Sequence, residues 1–320
     1  MLKTIRHKFS LLGAAAALSA TLATPSTVIA GVEATGKEGK DLVEEVKKSC
    51  ITGDLGVTFV SQYVSRGVVL ENQSVIAQPY ADLYFKLYEG DGFVSKVSLI
   101  LGIWASINED KTDAGAVTGA GFSSTDAWYE FDYTPGVAVS FAKYFTLTSS
   151  FFQFLSPNDG FQTFSGINFR LDIDDSSLLG AFALKPHFTY LREIENKAGT
   201  GSDEGNYYEV GINPSLPACG PVTVSLPVTA GFGSDDFYGE LNDDGTISDE
   251  WFGYVSAGVN VACALKFIPE CYGTWTATAG TTYYYLGPGT SDFNTRSRGG
   301  NVRDFKTSEW VFSGGLGVAF

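Results

Sequence analysis

The sequence predicts an all-β protein, a single closed antiparallel transmembrane β-barrel of about twelve strands. Three observations predict this fold. Apolar and polar residues alternate with period two in one segment after another beyond residue 54, as they do in strands whose two faces meet different environments. The connections between these segments alternate between short and long, and the chain begins with a stretch typical of exported proteins.

Residues 1–30 are predicted to be a secretory signal peptide. Lys3, Arg6 and Lys8 form a positive region, "LLGAAAALSATLA" forms a short apolar region, and "VIA" ending at Ala30 is a small-residue cleavage site. Without this segment 18 basic residues remain against 36 acidic ones, a net charge of −18. So acidic a chain is a poor partner for nucleic acid.

Residues 31–53 are predicted to be a periplasmic N-terminal segment. The stretch "KDLVEEVKKSC", which ends at Cys50, has the composition of a short charged helix. We expect this helix to lie across the periplasmic mouth of the barrel, or partly to plug it. The barrel itself is predicted to occupy residues 54–320.

The predicted strands have one apolar face and one polar face. In "WYEFDYTPGVAVSF" (128–141), for example, Phe131 and Val137 alternate with Asp132 and Ala138. The apolar faces carry Tyr and Trp near the strand ends, and the polar faces carry Gly, Ser, Thr, Asn and scattered charges. This is the apolar-out, polar-in pattern of outer-membrane barrels, and lipid forces such a sheet to close because it cannot satisfy open edges. The predicted spans are 55–65, 78–88, 93–107, 126–141, 144–155, 162–173, 181–192, 205–217, 221–233, 250–264, 271–286 and 308–320.

The connections separate by length onto the two ends of the barrel. The short ones are 89–92, 142–143, 174–180, 218–220 and 266–270, whereas the long ones include 108–125, 193–204, 234–249 and 287–307. Short turns on the periplasmic side and long loops outside are typical of these barrels. The sequence therefore predicts a location in the outer membrane of a Gram-negative bacterium, in contact with its lipid and lipopolysaccharide.

The last predicted strand ends in an aromatic residue and carries its apolar side chains in one register. These side chains are Trp310, Phe312, Leu316, Val318 and Phe320. A terminal aromatic of this kind resembles the signal that the bacterial barrel-assembly machinery reads. We therefore expect that machinery to be a partner of this chain.

Two motifs carry a resemblance to a known family. The first, S-x-Y-x-x-R-G, places Ser61, Tyr63, Arg66 and Gly67, and the second, G-x-W-x-S, places Gly102, Trp104 and Ser106. With the acidic-aromatic strand 128–141 they resemble the Gcw_chp family, exported proteins of proteobacteria whose function is unknown. The resemblance covers residues 57–141, and it implies a location and a fold but no activity.

Charged residues on the predicted inward faces are the candidate site residues. By parity they are Arg66, Asp82, Lys86, Lys96, Glu130, Asp132, Arg170, Asp172, Lys185, His187 and Glu209. Arg66 is expected at the extracellular rim, pointing into the mouth, where Glu130 or Asp132 could pair with it. The alternative is a rim arginine in contact with lipid headgroups or water.

These charges allow two interpretations of the lumen. Ion pairs could simply bridge it, because buried charges need partners, or opposed charges could orient a small solute in a narrow channel. Twelve strands leave less room than the 16–18 of general porins. The sequence therefore predicts a narrow or gated channel for small hydrophilic solutes, with a structural or surface-interaction barrel of occluded lumen as the alternative.

Catalytic and metal-binding motifs are not found in the sequence. A serine hydrolase needs a histidine base, and beyond the signal peptide only His187 remains, with no nucleophile motif near it. A membrane-embedded lipid hydrolase is thus a remote alternative, and we predict no enzyme activity, metal or cofactor. The acidic stretch 234–250 lacks the full calcium-loop pattern and is interpreted as a solvated loop.

The four cysteines are even in number, which suits two disulfides in an exported protein. Cys50, Cys219, Cys263 and Cys271 all fall at the predicted periplasmic rim. The favoured pairs are Cys263–Cys271, across one short turn, and Cys50–Cys219, across the mouth. A Cys50–Cys271 pair, or free thiols, are the alternatives.

Overall fold

The structure is a computed structural model that describes residues 49–72, 75–108, 127–234, 236–242, 244–297 and 306–320. The predicted signal peptide and the predicted helix before Cys50 lie outside the described residues. Within these residues, no helix combines the length and the apolar character needed to cross a membrane.

The described chain consists mainly of antiparallel strands. In order they are β1 (Ile51–Val60), β2 (Tyr63–Ser65), β3 (Val68–Glu71), β4 (Ile76–Glu89), β5 (Val94–Asn108), β6 (Trp128–Phe141), β7 (Phe145–Leu155), β8 (Phe164–Ile173), β9 (His187–Glu195), β10 (Asn206–Ile212), β11 (Val222–Ser225), β12 (Val228–Ser234), β13 (Tyr238–Leu241), β14 (Ile247–Glu250), β15 (Phe252–Ala264), β16 (Thr274–Leu286) and β17 (Ser308–Ala319). A short helix spans Ser176–Leu179, 3-10 turns span Gly180–Phe182 and Glu270–Tyr272, and the loop helix spans Pro288–Ser297.

The main sheet closes on itself. β11 and β12 both pair with β15, so together they form one interrupted strand, and β15 pairs on its other side with β16. At the opposite seam β1 pairs with β17, where Leu55 faces Val318. The predicted closed antiparallel barrel of twelve strands is therefore confirmed.

The interruption between β11 and β12 lies at Pro227. Proline has no N–H to give to a neighbouring strand, and here its carbonyl accepts a hydrogen bond from the N–H of Gly258 at 2.9 Å instead. The sequence prediction of an unbroken strand over 221–233 is wrong at this point, because a single proline divides the ladder without diverting the chain.

The outer face of the barrel is a band of exposed apolar side chains. Phe59, Leu101, Trp310, Phe312 and Phe320 are all exposed, as the predicted lipid-facing parity requires. In β17 the alternate residue Leu316 is also exposed and Val318 is half-buried, in the register predicted for the outward face of the last strand. Its role as an assembly signal stays a prediction.

The two ends of the barrel differ. At one end, here called the long-loop end, the chain connects β1 to β4, β5 to β6, β7 to β8, β9 to β10, β12 to β15, and β16 to β17. The remaining connections form the other end, here called the short-turn end. Two further hairpins, β2–β3 and β13–β14, and the loop helix belong to the long-loop end. The hydrophobic core also lies there, inside the barrel, around Tyr63, Phe154, Tyr207, Tyr238 and Tyr254.

The connection between β8 and β9 departs from the prediction. The strand predicted to start at residue 181 begins at His187, because the short helix and the 3-10 turn occupy residues 176–182. Lys185, predicted to face the lumen from this strand, instead lies in the connection with a positive φ of 49°. Its N–H and that of Leu184 both bind the carboxylate of Asp175, each at 3.0 Å.

The cysteines lie at the short-turn end, as predicted, but neither predicted disulfide is present, since all four are free thiols. Cys263 faces Ala277 across β15–β16, whereas Cys271 lies in the 3-10 turn Glu270–Tyr272, so the turn sets the two out of register. Cys50 accepts a hydrogen bond from the N–H of Lys86 at 2.8 Å, which fixes it in the sheet beside β4 rather than across the mouth.

Candidate functional site

The hairpin β2–β3, here called the inner hairpin, folds into the barrel rather than away from it. The ring of Tyr63 lies 5.3 Å from that of Trp104 and 6.4 Å from that of Tyr129, between ring centroids. The prediction that the first strand runs on to residue 65 is therefore wrong. β1 ends at Val60, and the apolar alternation that follows it fills the interior of the barrel instead of meeting lipid.

The turn of the inner hairpin consists of Arg66 and Gly67, which both have positive φ, 50° and 85°. Two successive residues of positive φ are the signature of the tight hairpin turn that suits twisted strands. Thus the Arg-Gly pair of the first motif marks a turn. Arg66, predicted at the rim, is instead enclosed inside the barrel with 3% of its surface exposed.

Three hydrogen bonds hold this turn in place. The hydroxyl of Tyr238 donates to the carbonyl of Arg66 at 2.8 Å. The carboxamide of Asn294, in the loop helix, donates to the carbonyl of Gly67 and accepts the N–H of Val69, each at 2.9 Å. The turn is therefore bound by side chains from two separate loops of the long-loop end.

The guanidinium of Arg66 lies between two aromatic rings. Its central carbon is 5.7 Å from the ring centroid of Phe154 and 5.6 Å from that of Tyr207, within the range of cation–π attraction. Nη1 donates to the hydroxyl of Ser65 at 3.4 Å. Within the described part of the chain, Nε and Nη2 make no hydrogen bond.

The two carboxylates expected to pair with Arg66 are buried in the same lumen. Glu130 and Asp132 are both buried on β6, but the free nitrogens of Arg66 do not hydrogen-bond to them, and Oε2 of Glu130 and Oδ1 of Asp132 also make no hydrogen bond among the described residues. The predicted pairing is thus an attraction of buried charges without direct contact. Such unpaired polar atoms are rare in folded proteins, and they indicate a place where water or a ligand belongs.

A second charged cluster lies further towards the short-turn end, on β8, β9 and β10. Arg170 contacts Asp172 at 2.8 Å and Glu209 at 3.7 Å, and Nε2 of His187 lies 3.3 Å from Glu209. The four residues were all predicted to face the lumen, from three strands. The structure brings them together as one ion-paired cluster.

This cluster continues into the aromatic core. Oε2 of Glu209 accepts hydrogen bonds from the hydroxyls of Tyr207, at 2.7 Å, and Tyr254, at 3.1 Å. The ring of the same Tyr207 carries the guanidinium of Arg66. A continuous polar column therefore runs from Asp172 to Arg66, inside the barrel.

Burial increases along this column. The side chains of Asp172, Arg170, His187 and Glu209 are 38%, 15%, 9% and 2% exposed in that order. Water thus reaches the lumen from the short-turn end as far as the His187–Glu209 level. Beyond that level, the aromatic core and the inner hairpin fill the lumen.

Three of the remaining candidates lie nearer the short-turn end. Lys86 pairs with Glu89 at 2.8 Å, and Lys96 stands opposite Glu89 in the β4–β5 register. Asp82 faces Asp54 across β1–β4. Asp54 was missed by the sequence analysis because the predicted first strand began after it.

A cavity of about 390 Å³ opens at the long-loop end. Its rim is exposed and polar, with Gln162, Asn196, Lys197, Ser202 and Asp203, while its deeper wall is buried and comprises Arg66, Val68, Tyr129, Glu130, Phe154 and Phe164. Phe161, Leu70 and Phe293 add half-buried apolar surface. The cavity therefore descends from a charged rim to a floor that contains both a cation and an anion.

Glu193 organises one wall of this cavity. Its Oε1 accepts the backbone N–H groups of Ala198 and Gly199, and its Oε2 accepts that of Gly205 at 2.7 Å. A single buried carboxylate thus folds the loop 196–205 against the barrel. The sequence did not predict this role, because the residue pattern of a loop does not show which carboxylate will accept hydrogen bonds from its N–H groups.

No group of three or more His, Cys, Asp or Glu side chains within the described ranges is placed to hold a metal ion. His187, the base required by the hydrolase alternative, points into the lumen and has Glu209 as its partner.

No protein-family model matches the chain, and no curated protein matches it. Solved structures that are similar to it include the NanC porin, with 11% identity, 83% of this chain and 98% of that chain covered and a TM-score of 0.43. The translocator domain of the autotransporter NalP from Neisseria meningitidis has 10% identity, coverage of 86% and 90% and a TM-score of 0.40. Outer membrane phospholipase A from Escherichia coli has 11% identity, coverage of 83% and 89% and a TM-score of 0.40.

Proposed function

We propose that this protein is an outer-membrane β-barrel that acts as a narrow, gated channel for small hydrophilic solutes. The observation that carries the proposal is the polar column from Asp172 through Glu209 and Tyr207 to Arg66. It joins the water-accessible short-turn half of the lumen to the cavity at the long-loop end. A barrel with a purely structural role has no need of charged side chains in a continuous line through its core, since buried charges are expensive.

The inner hairpin is the gate in this proposal. It occupies the lumen between the column and the cavity, and its turn is held by side chains rather than by strand pairing with the barrel wall. The sequence placed a plug at the other mouth, in residues 31–53, which lie almost wholly outside the described residues. In this proposal the lumen is closed from the extracellular side, by a segment that the sequence predicted as the end of the first strand and the loop after it.

The buried charges of the lumen favour cations as the permeating ions. Asp172, Glu209, Glu130 and Asp132 outnumber Arg170 and Arg66 within the lumen, and the whole chain carries a net charge of −15. Negative charge that lines a low-dielectric passage raises the local concentration of cations. We therefore expect an opened channel to select for cations over anions.

Planar-bilayer recording tests the gate directly. In one variant a flexible Gly-Ser linker of equal length replaces residues 62–72, and in a control variant the same substitution is made in the short turn 89–92. We expect small, brief openings in the native protein and the control, and a large, steady, cation-selective conductance in the hairpin variant. Migration on unboiled gels shows that each barrel is folded.

The alternative function is a structural or surface-interaction barrel whose lumen stays closed. The buried aromatic core at the long-loop end favours it, since the rings of Phe154, Tyr207 and Tyr254 fill the barrel together with the hairpin. A folded hairpin variant with no conductance would support this alternative and refute the channel.

The location is tested separately from the conductance. An outer-membrane barrel should sediment with the outer-membrane fraction and migrate faster on unboiled than on boiled gels. Recovery from the soluble periplasm would contradict the location.

Deletion of Phe320 tests the assembly signal. The N–H and carbonyl of Phe320 bond to Gly53 on β1 at 2.9 and 3.0 Å, and its deletion should reduce the amount of assembled barrel if the assembly machinery reads this terminus.

A further inference from the structure

We propose that the cavity at the long-loop end binds a small zwitterion with an apolar body, of the class of an α-amino acid with a large apolar side chain. This inference rests on the proposed function in one respect, since it names the class of solute that would meet the gate. It is carried by the charges, the walls and the size of the cavity.

The floor of the cavity presents one cation and one anion that do not satisfy each other. Arg66 and Glu130 both line it, both are buried, and Nε and Nη2 of the first and Oε2 of the second make no hydrogen bond within the described chain. Buried polar atoms without hydrogen-bond partners are unfavourable. A ligand that brings a carboxylate to Arg66 and an ammonium to Glu130 would satisfy both groups at once.

Ligands with a single charge fit this floor less well. A simple anion would meet Arg66 but lie close to the carboxylates of Glu130 and Asp132, and a simple cation would meet Glu130 but lie close to the guanidinium. A neutral ligand would satisfy hydrogen bonds without balancing either charge. The opposed pair therefore favours a molecule that itself carries one charge of each sign.

One side of the cavity wall is a group of aromatic rings. Phe161 lies 5.2 Å from Tyr129 and 5.7 Å from Phe164, between ring centroids, and Phe154 and Phe293 lie on the same cavity. Aromatic rings that pack together in this way offer faces and edges to another ring or to an aliphatic chain. The body of the ligand is therefore apolar.

The size of the cavity agrees with this class. A volume of about 390 Å³ lies at the small end of ligand pockets, which span roughly 300–1,000 Å³. It accommodates one amino acid with a large side chain and a few waters. The exposed rim, with Lys197 and Asp203, also carries both signs of charge and so repels neither group of a zwitterion.

Isothermal titration calorimetry of the full barrel in detergent tests the proposal on the native protein. The probes are phenylalanine, phenylalanine amide, which lacks the carboxylate, N-acetylphenylalanine, which lacks the ammonium, and glucose as a neutral polyol. We expect phenylalanine to bind and each of the other three to bind at least about tenfold more weakly, a difference of about 1.4 kcal/mol. Equal binding of phenylalanine and either derivative, tighter binding of glucose, or no binding by any probe would overturn the proposal.

Variants assign the two charges. Arg66→Gln should abolish the preference for phenylalanine over its amide, and Glu130→Gln the preference over the N-acetyl derivative. Lys143→Gln and Glu195→Gln, both exposed and neither on the cavity, are the matched controls. Unboiled gels and proteolysis would show whether Arg66→Gln releases the inner hairpin. In that case the Glu130→Gln variant and the probe series on the native protein still test whether the cavity binds a zwitterion.

The outcome is separable from that of the channel proposal. Binding with the predicted charge dependence in a barrel that never conducts would refute the channel and leave the zwitterion site in place. Conductance without binding of phenylalanine would refute the zwitterion site and leave the channel in place.

Discussion

Asn294 binds the backbone of Gly67 across 227 residues of sequence, donating to its carbonyl at 2.9 Å from the loop helix between β16 and β17. The same carboxamide accepts the N–H of Val69 at 2.9 Å. Both groups are buried, so each would be left without a partner if the side chain were removed. One side chain thus joins the loop between β16 and β17 to the turn of the inner hairpin.

Asn294→Ala should therefore loosen the gate. The loss of two buried hydrogen bonds costs about 1–3 kcal/mol for each group left unsatisfied, which would raise the population of hairpins that have left the lumen. We expect more frequent channel openings in planar-bilayer recordings. Asn242→Ala is the control, because among the described residues its side chain bonds to Thr246 in an exposed turn. An equal effect of both changes would contradict the role of Asn294 in holding the hairpin.

Gly67→Ala should destabilise the hairpin for two reasons that a control can separate. The positive φ of 85° costs an alanine about 1–2 kcal/mol, and its Cβ would lie 3.2 Å from atoms of Tyr254 and Thr290. Gly245, with φ of 84° and no atom within 4 Å of such a Cβ, measures the backbone strain alone. We expect Gly67→Ala to increase proteolysis of the hairpin more than Gly245→Ala does in its own turn.

The barrel could be predicted from the sequence because period-two alternation is a local property of each strand. The inner hairpin could not, since Tyr63 and Val64 continue the alternation of β1 and satisfy the same pattern whether they face lipid or fill the lumen. The partners that decide the matter, Asn294 and Tyr238, come from loops far along the chain. For the same reason Arg170, Asp172, His187 and Glu209 could be assigned to the lumen but not to one cluster.

Glu193→Gln should open the wall of the cavity. The carboxylate accepts three backbone N–H groups of the loop 196–205, and a carboxamide offers a single acceptor oxygen for them. We expect trypsin to cut after the exposed Lys197 several-fold faster in this variant. Glu195→Gln, two residues away and exposed, should cut at the native rate, and no difference between the two variants would contradict the role of Glu193.

The connection between β8 and β9 should become less stable in acid. Partial burial acts to raise the pKa of Asp175, but hydrogen bonds from the N–H groups of Lys185 and Leu184 outweigh it, and the pKa is lower than usual. A carboxyl group of depressed pKa stabilises the fold above its unfolded-state pKa, near 3.9, and loses that contribution as the pH falls through the folded-state value. Asp175→Asn should therefore unfold faster than the native protein in urea at pH 7, and the difference should shrink below pH 3; a pH-independent difference would contradict this account.

The free thiols allow a test of the topology. Cys50, Cys219 and Cys271 are exposed, and Cys263 is half-buried. If the short-turn end faces the periplasm, a membrane-impermeant maleimide should label none of them on intact cells and the first three rapidly after the outer membrane is permeabilised, with Cys263 slower. Labelling on intact cells would show that the barrel has the opposite orientation. A disulfide-linked peptide in mass spectrometry would show that the thiols are not free.

The inner hairpin also bears on how the barrel reaches its closed state during folding. Its docking partners lie on β6, β7, β10, β13 and the loop helix, all of which follow the hairpin in the sequence. Contacts between residues so far apart form slowly, because a long loop must close first. Strand pairing, including the seam of β1 and β17, does not depend on these contacts. If the seam closes before the hairpin docks, the lumen of each new barrel stays open until docking, and the speed of docking would set how long that molecule leaves the membrane leaky.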